Sequence, residues 1–125
     1  MYHYYAPSIS VVDFGAADTG TGAVEGKRDD CVQFYACHFL APVDQSHSID
    51  YWLHVKNFTP ESDDVNEQLS AQFRLAFDED KVILEAIQVA EDKYCDRRQI
   101  RLGIDQAPMR MRKMVDDMIK QEQHA

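Results

Sequence analysis

The chain has 125 residues, of which 45% are hydrophobic and 28% are charged. This length and mixture predict one globular domain over residues 1–125 and exclude a chain that is disordered throughout. The net charge of −9 argues against a nucleic-acid-binding surface, because phosphate binding needs clustered lysine and arginine.

The first half of the chain has the composition of β-strands. Aromatic and β-branched residues are concentrated in three segments, at residues 2–14, 31–41 and 49–58. The connection between the first two holds four of the five glycines, so it is predicted to be a flexible loop that admits a short strand at Ala23 to Glu25.

Histidines occur in both of the later predicted strands. His38 shares a face with apolar residues, which are Val32, Phe34, Ala36 and Leu40. Two interpretations stay open, a core histidine satisfied by one hydrogen bond and a histidine that lines a pocket. In the third strand a packed face is predicted to alternate with a mixed face; the packed face holds Ile49, Tyr51, Leu53 and Val55, and the mixed face holds Asp50, Trp52, His54 and Lys56.

The second half of the chain has helical periodicity. The apolar spacing becomes about 3.6 residues after the third strand, which predicts a long helix that ends near Lys93. Its start is signalled either by Thr59 with Pro60, or by Ser62 with the acidic residues that follow it. Gly103 separates this helix from a second one, predicted from about Asp105 to Gln123. Strands followed by helices are typical of an α+β fold.

The second predicted helix has one apolar side and one basic run. The apolar side carries Met111, Met114, Val115, Met118 and Ile119. The basic run at residues 110–114 is followed by Asp116 and Asp117, so it is interpreted as a solvated helix face rather than a binding patch.

An acidic triplet, Asp78-Glu79-Asp80, lies in the middle of the long helix. On a helical wheel of about 100° per residue, Asp78 and Glu79 point to solvent, whereas Asp80 falls on the apolar stripe. That stripe consists of Val65, Leu69, Phe73, Ala76, Phe77, Ile83, Leu84 and Ile87. A carboxylate in apolar surroundings is costly unless it is paired, hydrogen-bonded, neutralised or bound to a metal.

Several explanations of Asp80 stay open. A helix kink at residues 78–80 would turn it to water, and a buried ion pair with Arg98 or Arg101 would neutralise it. Alternatively it is a metal ligand or a general base in a pocket. The spacing of the histidines adds no second ligand, because no two of them lie at helical spacing.

The order of several segments resembles a known family. These segments are "FGAADTGTG" at 14–22, "YWLHVKNF" at 51–58, "AFDEDKVILEAIQ" at 76–88, and the pair Asp105 and Arg112. Together they resemble the C-terminal part of Rieske-type non-haem iron oxygenases, of the vanillate O-demethylase and dicamba monooxygenase group. The resemblance covers residues 6–122. The sequence departs from the family at "HFLAPV", where Ala41 and Val43 replace a threonine and a glutamate, and at Ile49-Asp50-Tyr51, where the family has Thr-His-Tyr.

The resemblance implies part of a helix-grip (START-like) antiparallel sheet packed against a long helix, with a C-terminal helix. It implies that Asp80 is the carboxylate in a two-histidine, one-carboxylate site for mononuclear Fe(II). It implies that His38 contacts an aromatic substrate, with Trp52 and His54 as further pocket residues, and that Asp105 and Arg112 are structural. No residue of this chain is assigned a catalytic role.

The implied reaction is O₂-dependent monooxygenation, such as O-demethylation or hydroxylation of an aromatic acid. A [2Fe–2S] Rieske cluster and a flavin/iron–sulfur reductase would supply the electrons. The chain has no C-x-H…C-x-x-H cluster motif, and the two iron-ligating histidines are expected upstream of Met1. We therefore expect the chain to need a missing N-terminal half or a partner chain, and to be inactive alone.

An alternative is a non-catalytic helix-grip module, derived from the same family, that binds an apolar ligand or completes its fold with a partner chain. In either case a half-sheet predicts an exposed strand edge and a homo-oligomer or other assembly. The odd number of cysteines, Cys31, Cys37 and Cys95, predicts buried reduced thiols. The N-terminal segment has no basic start and is broken at Pro7, which predicts neither a signal peptide nor a membrane span, and hence a cytoplasmic protein.

Overall fold

The computed structural model describes residues 1–95, 100 and 102–124. The elements follow in the order β1 (Tyr2–Tyr5), β2 (Ile9–Ala16), β3 (Val32–Pro42), β4 (Ser48–Lys56), α1 (Asp63–Lys93), a 3-10 turn (Gly103–Asp105) and α2 (Gln106–Gln123). Four strands followed by two helices confirm the α+β class. Closure into a helix grip, with the sheet packed on the long helix, stays a prediction.

The described chain divides into two compact units. The first unit comprises Met1–Pro60 with Gly103–Ala125, and so contains the sheet and α2. The second unit, Glu61–Leu102, contains α1. The prediction that residues 1–125 form a single domain stays a prediction.

The sheet is an antiparallel meander in the order β1-β2-β3-β4. The second and third predicted strands are confirmed as β3 and β4. The first prediction, one strand over 2–14, is wrong, because the chain turns at residues 6–8 and forms β1 and β2 instead. Pro7 lies in this turn, after a cis bond to Ala6, and it has no N–H to contribute to a strand ladder. The Tyr4 hydroxyl donates a hydrogen bond to the Pro7 carbonyl.

The glycine-rich connection from β2 to β3 contains turns and no strand at Ala23 to Glu25, so that prediction is wrong. Gly22 and Gly26 adopt φ values of 81° and 98°, which are unfavourable for residues with a side chain. The Gly22 carbonyl accepts hydrogen bonds from the amides of Glu25 and Lys27, at 3.1 and 3.0 Å. These local bonds use the backbone groups that a strand would have offered to the sheet.

The strand register divides the side chains of the sheet between two faces. Directly opposed residues share a face, and the sets Ser10-His38-Trp52 and Val12-Ala36-His54 define one that we call the His38 face. The sets Val11-Cys37-Leu53 and Ile9-Phe39-Tyr51 define the opposite one, the Leu53 face. Ala36, at the centre of the His38 face, is 5% exposed.

The prediction that the apolar face of the third strand packs is wrong. Tyr51, Leu53 and Val55 are about half exposed, whereas Trp52, His54 and Lys56 on the mixed face are partly buried. A charged side chain such as that of Lys56 can be partly buried because it is hydrogen-bonded: its ammonium group donates to the carbonyls of Phe58 and Thr59, each at 2.7 Å.

Helix α1 begins after Ser62, whose hydroxyl accepts a hydrogen bond from the Val65 amide at 3.4 Å. This confirms the Ser62 start over the one at Thr59. The helix continues without interruption through residues 78–80. Its apolar stripe changes character along its length: Val65, Leu69, Phe73 and Phe77 are partly buried, and Ile83, Leu84 and Ile87 are exposed.

Helix α2 confirms the second predicted helix within one residue. Met111, Val115 and Met118 on its apolar side are partly buried, and Met114 and Ile119 are exposed. Tyr4 of the His38 face and α2 together line a cavity of about 490 Å³, whose other lining residues are Pro108, Met111, Arg112, Val115 and Asp116. The basic run faces solvent as predicted, and Lys113 donates to Asp117 at 2.6 Å.

The three cysteines are free thiols, but the prediction that they are buried is wrong. Cys31 and Cys37 are partly exposed and Cys95 is exposed. Of the helices in the part of the chain that the structure describes, none combines the length and hydrophobicity that crossing a bilayer requires.

Candidate functional site

His38 and Asp50 form the polar centre of the His38 face. His38 Nδ1 lies 2.8 Å from Asp50 Oδ2, and since a carboxylate oxygen accepts, Nδ1 is the donor. The two residues lie on adjacent strands in diagonal positions, because His38 opposes Trp52 and Asp50 opposes Leu40. The His38 side chain is 18% exposed and that of Asp50 is 39% exposed, so the pair lies at the boundary between the sheet and solvent.

Trp52 and His54 complete a group of four polar and aromatic side chains on this face. Trp52 lies directly opposite His38, and its ring meets that of His54 edge to face, with centroids 5.3 Å apart and an interplanar angle of 66°. Both are partly buried. The structure therefore brings together the three residues predicted to bind substrate, His38, Trp52 and His54.

Burial makes His54 a weaker base than a histidine in water. Desolvation, and second the nearby charge of His38, lower the pKa of His54 from its usual value of 6.5. His54 is therefore predominantly neutral at neutral pH. The two predicted interpretations of His38 are compatible here, because its Nδ1 is hydrogen-bonded to Asp50 and its side chain also lies at a partly open surface.

Asp50 belongs to this group and was missed as a site residue. Its alternation with Trp52 and His54 placed it on the mixed face, and it stands where the resembled family has a histidine. Its contact with His38, twelve positions earlier in the chain, depends on the register between β3 and β4. A pattern within one strand does not carry that register.

Asp80 lies in the second unit, on α1, at helical spacing from Ile83, Leu84 and Ile87. The predicted sharing of a face is confirmed, but Asp80 and these three neighbours are exposed rather than buried. Helix α1 continues through residues 78–80 and Asp80 is exposed to solvent, while the kink explanation stays a prediction. The explanation by Arg98 or Arg101 lies outside the described residues.

The donor set of this chain does not fit an iron site on its own. Within residues 1–95, 100 and 102–124, no three histidine, cysteine, aspartate or glutamate side chains are grouped so as to hold a metal ion. A two-histidine, one-carboxylate site needs three such groups on one metal. The role of Asp80 as a metal ligand stays a prediction, and its other ligands would have to come from outside the described residues.

A second pair that sequence patterns missed is Asp13 with Arg28. Asp13 on β2 is 7% exposed, and both of its oxygens accept hydrogen bonds from the Arg28 guanidinium at 2.5 Å. Arg28 also presents its carbonyl to the Gln33 side chain, at 2.6 Å. These bonds attach the glycine-rich loop to the sheet, so we assign the pair a structural role.

Comparison with known proteins yields one family. The model of the vanillate O-demethylase oxygenase C-terminal domain matches residues 1–121. The resemblance read from the sequence is thereby confirmed. No solved structure gives a significant match.

Curated relatives match over nearly the whole chain. A putative toluene-4-sulfonate monooxygenase system iron-sulfur subunit of Comamonas testosteroni is 28% identical over 98% of this chain and 36% of its own length. The oxygenase component of a chloroacetanilide N-alkylformylase of Rhizorhabdus wittichii is 28% identical over 96% of this chain and 35% of its own. A vanillate O-demethylase oxygenase subunit of a Pseudomonas species is 24% identical over 95% of this chain and 34% of its own length. The chain thus spans about a third of the length of the curated relatives it matches.

Proposed function

The chain belongs to the vanillate O-demethylase oxygenase C-terminal domain family, and from this we propose that it is the C-terminal catalytic portion of a Rieske-type aromatic-ring oxygenase or O-demethylase oxygenase subunit. The observation that carries the proposal is the family match over residues 1–121. The match to about a third of each relative supports the view that this chain contributes one part of a larger catalytic domain.

Within that function, Asp80 would supply the carboxylate ligand of mononuclear Fe(II), the metal at which O₂ is activated. Two independent arguments support this choice. The family resemblance places the iron-ligating carboxylate on the aspartate of the segment Glu79-Asp80-Lys81. Asp80 is also the acidic residue that interrupts the apolar stripe of the helix.

The substrate side of the site would be formed in part by the His38 face. His38 would contact and orient an aromatic small molecule, and Trp52 and His54 would line the same pocket. These three roles are supported by the grouping of the residues on one partly buried face. On such a face the ring of Trp52 provides apolar contact and the histidines provide hydrogen bonds. The names of the relatives, which include toluene-4-sulfonate, vanillate and chloroacetanilide, all refer to benzene derivatives.

The remaining parts of the system would lie elsewhere. A [2Fe–2S] Rieske cluster would be carried by another segment or chain, since this sequence has no motif for it. A flavin/iron–sulfur reductase would deliver the electrons. The relatives are named as an iron-sulfur subunit, an oxygenase component and an oxygenase subunit, which supports a system of several proteins.

Exposed apolar surface supports assembly with further protein. Tyr51, Leu53 and Val55 on the Leu53 face, and Ile83 and Leu84 on α1, are all about half exposed or more. Apolar area of this extent on a folded chain favours association, because its removal from water is stabilising. The same surface supports the alternative function, an assembly or ligand-binding module without catalysis.

The iron content of the full-length protein tests the proposed function. We expect Asp80→Asn to lose most of the bound iron when the protein is purified with its Rieske-bearing segment or partner. Asp78→Asn is the matched control, since it makes the same change two residues away on the solvent face of α1, and it should retain iron. Equal iron in the Asp80→Asn and unsubstituted proteins would refute the ligand role. Iron-free protein that still binds aromatic compounds would favour the non-catalytic module.

A further inference from the structure

The pairing of His38 with Asp50 has a consequence for the kind of substrate that the His38 face accepts. A histidine attracts an anionic group when its imidazolium charge is not balanced nearby. Here a carboxylate oxygen lies 2.8 Å from Nδ1, on the same face of the sheet. When His38 is protonated the pair therefore has no net charge, and when His38 is neutral the pair carries the single negative charge of Asp50. In neither state is the pair positively charged.

Three other basic side chains lie on or near this face. Arg112 lines the cavity at Tyr4 together with the carboxylate of Asp116. His54 is predominantly neutral, because burial lowers its pKa. The Lys56 ammonium is directed to the carbonyls of Phe58 and Thr59, at 2.7 Å each. A carboxylate or sulfonate brought to His38 would thus meet no net positive charge on the pair, and Asp50 would repel it at short range.

The orientation of His38 is also set by this contact. Because Nδ1 donates to Asp50, any hydrogen bond between the imidazole and a substrate involves Nε2. In the neutral ring Nε2 is then an acceptor, and it suits a substrate O–H or N–H group. The edge-to-face pair of Trp52 and His54 adds aromatic surface on which a ring can pack.

We propose that Asp50 is a specificity-determining residue that makes this site select an uncharged aromatic substrate with a hydrogen-bond donor, such as a phenol or an amide, over an aromatic carboxylate or sulfonate. The proposal rests on the proposed function, in which the His38 face lines the substrate pocket. It narrows the substrate class that the family resemblance implied, which included aromatic acids. Asp50 acts here as a positioning residue for His38 and as a fixed negative charge.

Benzamide and benzoate test the proposal, because they have the same shape and differ in charge and in donor groups. Binding to the full-length protein is measured by calorimetry, without turnover. We expect the unsubstituted protein to bind benzamide more tightly than benzoate. Asp50→Asn removes the charge and keeps an oxygen that can accept from Nδ1, so it should strengthen benzoate binding by about threefold to tenfold, with benzamide binding nearly unchanged.

Asp44→Asn is the matched control. Asp44 also accepts a hydrogen bond from a histidine, His47 Nδ1, at 2.9 Å, but in the exposed turn between β3 and β4. The same chemical change at Asp44 should leave the ratio of the benzamide affinity to the benzoate affinity unaltered. Asp50→Ser provides a second uncharged variant, in case Asp50→Asn fails to fold, and should show the same gain in benzoate binding.

The outcomes separate this inference from the proposed function. Tighter binding of benzoate by the unsubstituted protein, or a ratio that Asp50→Asn and Asp50→Ser leave unchanged, overturns the inference. Iron retention depends on Asp80 and not on Asp50, so loss of iron in Asp80→Asn together with an unchanged ratio refutes the inference alone. If neither compound binds, the assignment of the His38 face to a substrate pocket fails, and the inference fails with it.

Discussion

Asp13 and Arg28 are joined by two parallel hydrogen bonds, from Nη1 to Oδ2 and from Nη2 to Oδ1, each 2.5 Å long. Asp13 is 7% exposed and Arg28 is 32% exposed, so the carboxylate is the more enclosed partner. Such two-pronged pairs fix geometry as well as charge. Since Arg28 lies in the glycine-rich connection, the pair holds this loop against β2.

Removal of Arg28 should destabilise the fold in a pH-dependent way. Its hydrogen bond, and also its charge, hold the pKa of Asp13 below the usual value of 3.8, although burial opposes this. A carboxylate with a depressed pKa in the folded state stabilises the fold fully above its unfolded pKa, and this contribution is lost as the pH falls through the lower folded value. Arg28→Ala should therefore lower the free energy of unfolding at pH 7, and the difference from the unsubstituted protein should shrink below pH 3.8.

Urea unfolding at a series of pH values measures this effect. Lys27→Ala is the matched control, because it removes the neighbouring, exposed cation and should have little effect at any pH. A loss of stability for Arg28→Ala that does not change on acidification would contradict the assigned pairing.

Gly15→Ala should disrupt the pairing of β2 with β3. A Cβ at Gly15 would lie 2.1 Å from the Val32 carbonyl oxygen, a backbone atom that cannot move without shifting the strand. We expect a loss of about 1–3 kcal/mol in the free energy of unfolding. Gly103→Ala is the control, since a Cβ there meets no heavy atom of the described chain within 4 Å. The fluorescence of Trp52, the only tryptophan in the sequence, reports the unfolding of both variants.

Ser62→Ala should shorten or weaken the start of α1. The Ser62 hydroxyl accepts from the Val65 amide at 3.4 Å, a long bond, so we expect a loss of roughly 0.5–1 kcal/mol. Ser70→Ala, inside the same helix, should be neutral or slightly stabilising, because alanine is the better helix former. Thr59→Ala should leave the helix content unchanged. Circular dichroism during thermal unfolding distinguishes the three, and an equal loss for Ser62→Ala and Ser70→Ala would rule out a capping role.

His54 should make stability depend on pH in the weakly acidic range. Burial first, and the charge of His38 second, lower the pKa of His54 from 6.5, so the unfolded chain binds a proton at a pH where the folded chain does not. Stability should therefore fall as the pH decreases below 6.5 and level off below the folded pKa. In His54→Gln this decrease of the free energy of unfolding with falling pH should disappear. Urea unfolding at a series of pH values from 6.5 downward measures it. A slope that persists in the variant would show that another group causes it.

The family and much of the local structure could be predicted from the sequence. The order of the elements, the Ser62 start of α1, the extent of α2 and the α+β class follow from periodicity, capping residues and composition, which are properties of neighbouring residues. The position of Asp80 on an apolar helical face follows from the geometry of the helix alone. The glycines at 22 and 26 are equally local signals and predict a loop between the strands, whereas Pro7, which marks the turn between β1 and β2, falls inside the single strand predicted over 2–14.

Tertiary structure alone decided which faces are covered and which residues meet across strands. An alternating strand specifies two sets of side chains, but not the set that other elements cover, and here the mixed face is the more buried one. The contacts His38–Asp50 and Asp13–Arg28 join residues 12 and 15 positions apart, and they exist because the register and the loop bring them together. Hydrogen bonds and ion pairs act over a few ångströms, so their partners are fixed by the folded path of the chain and not by distance along it.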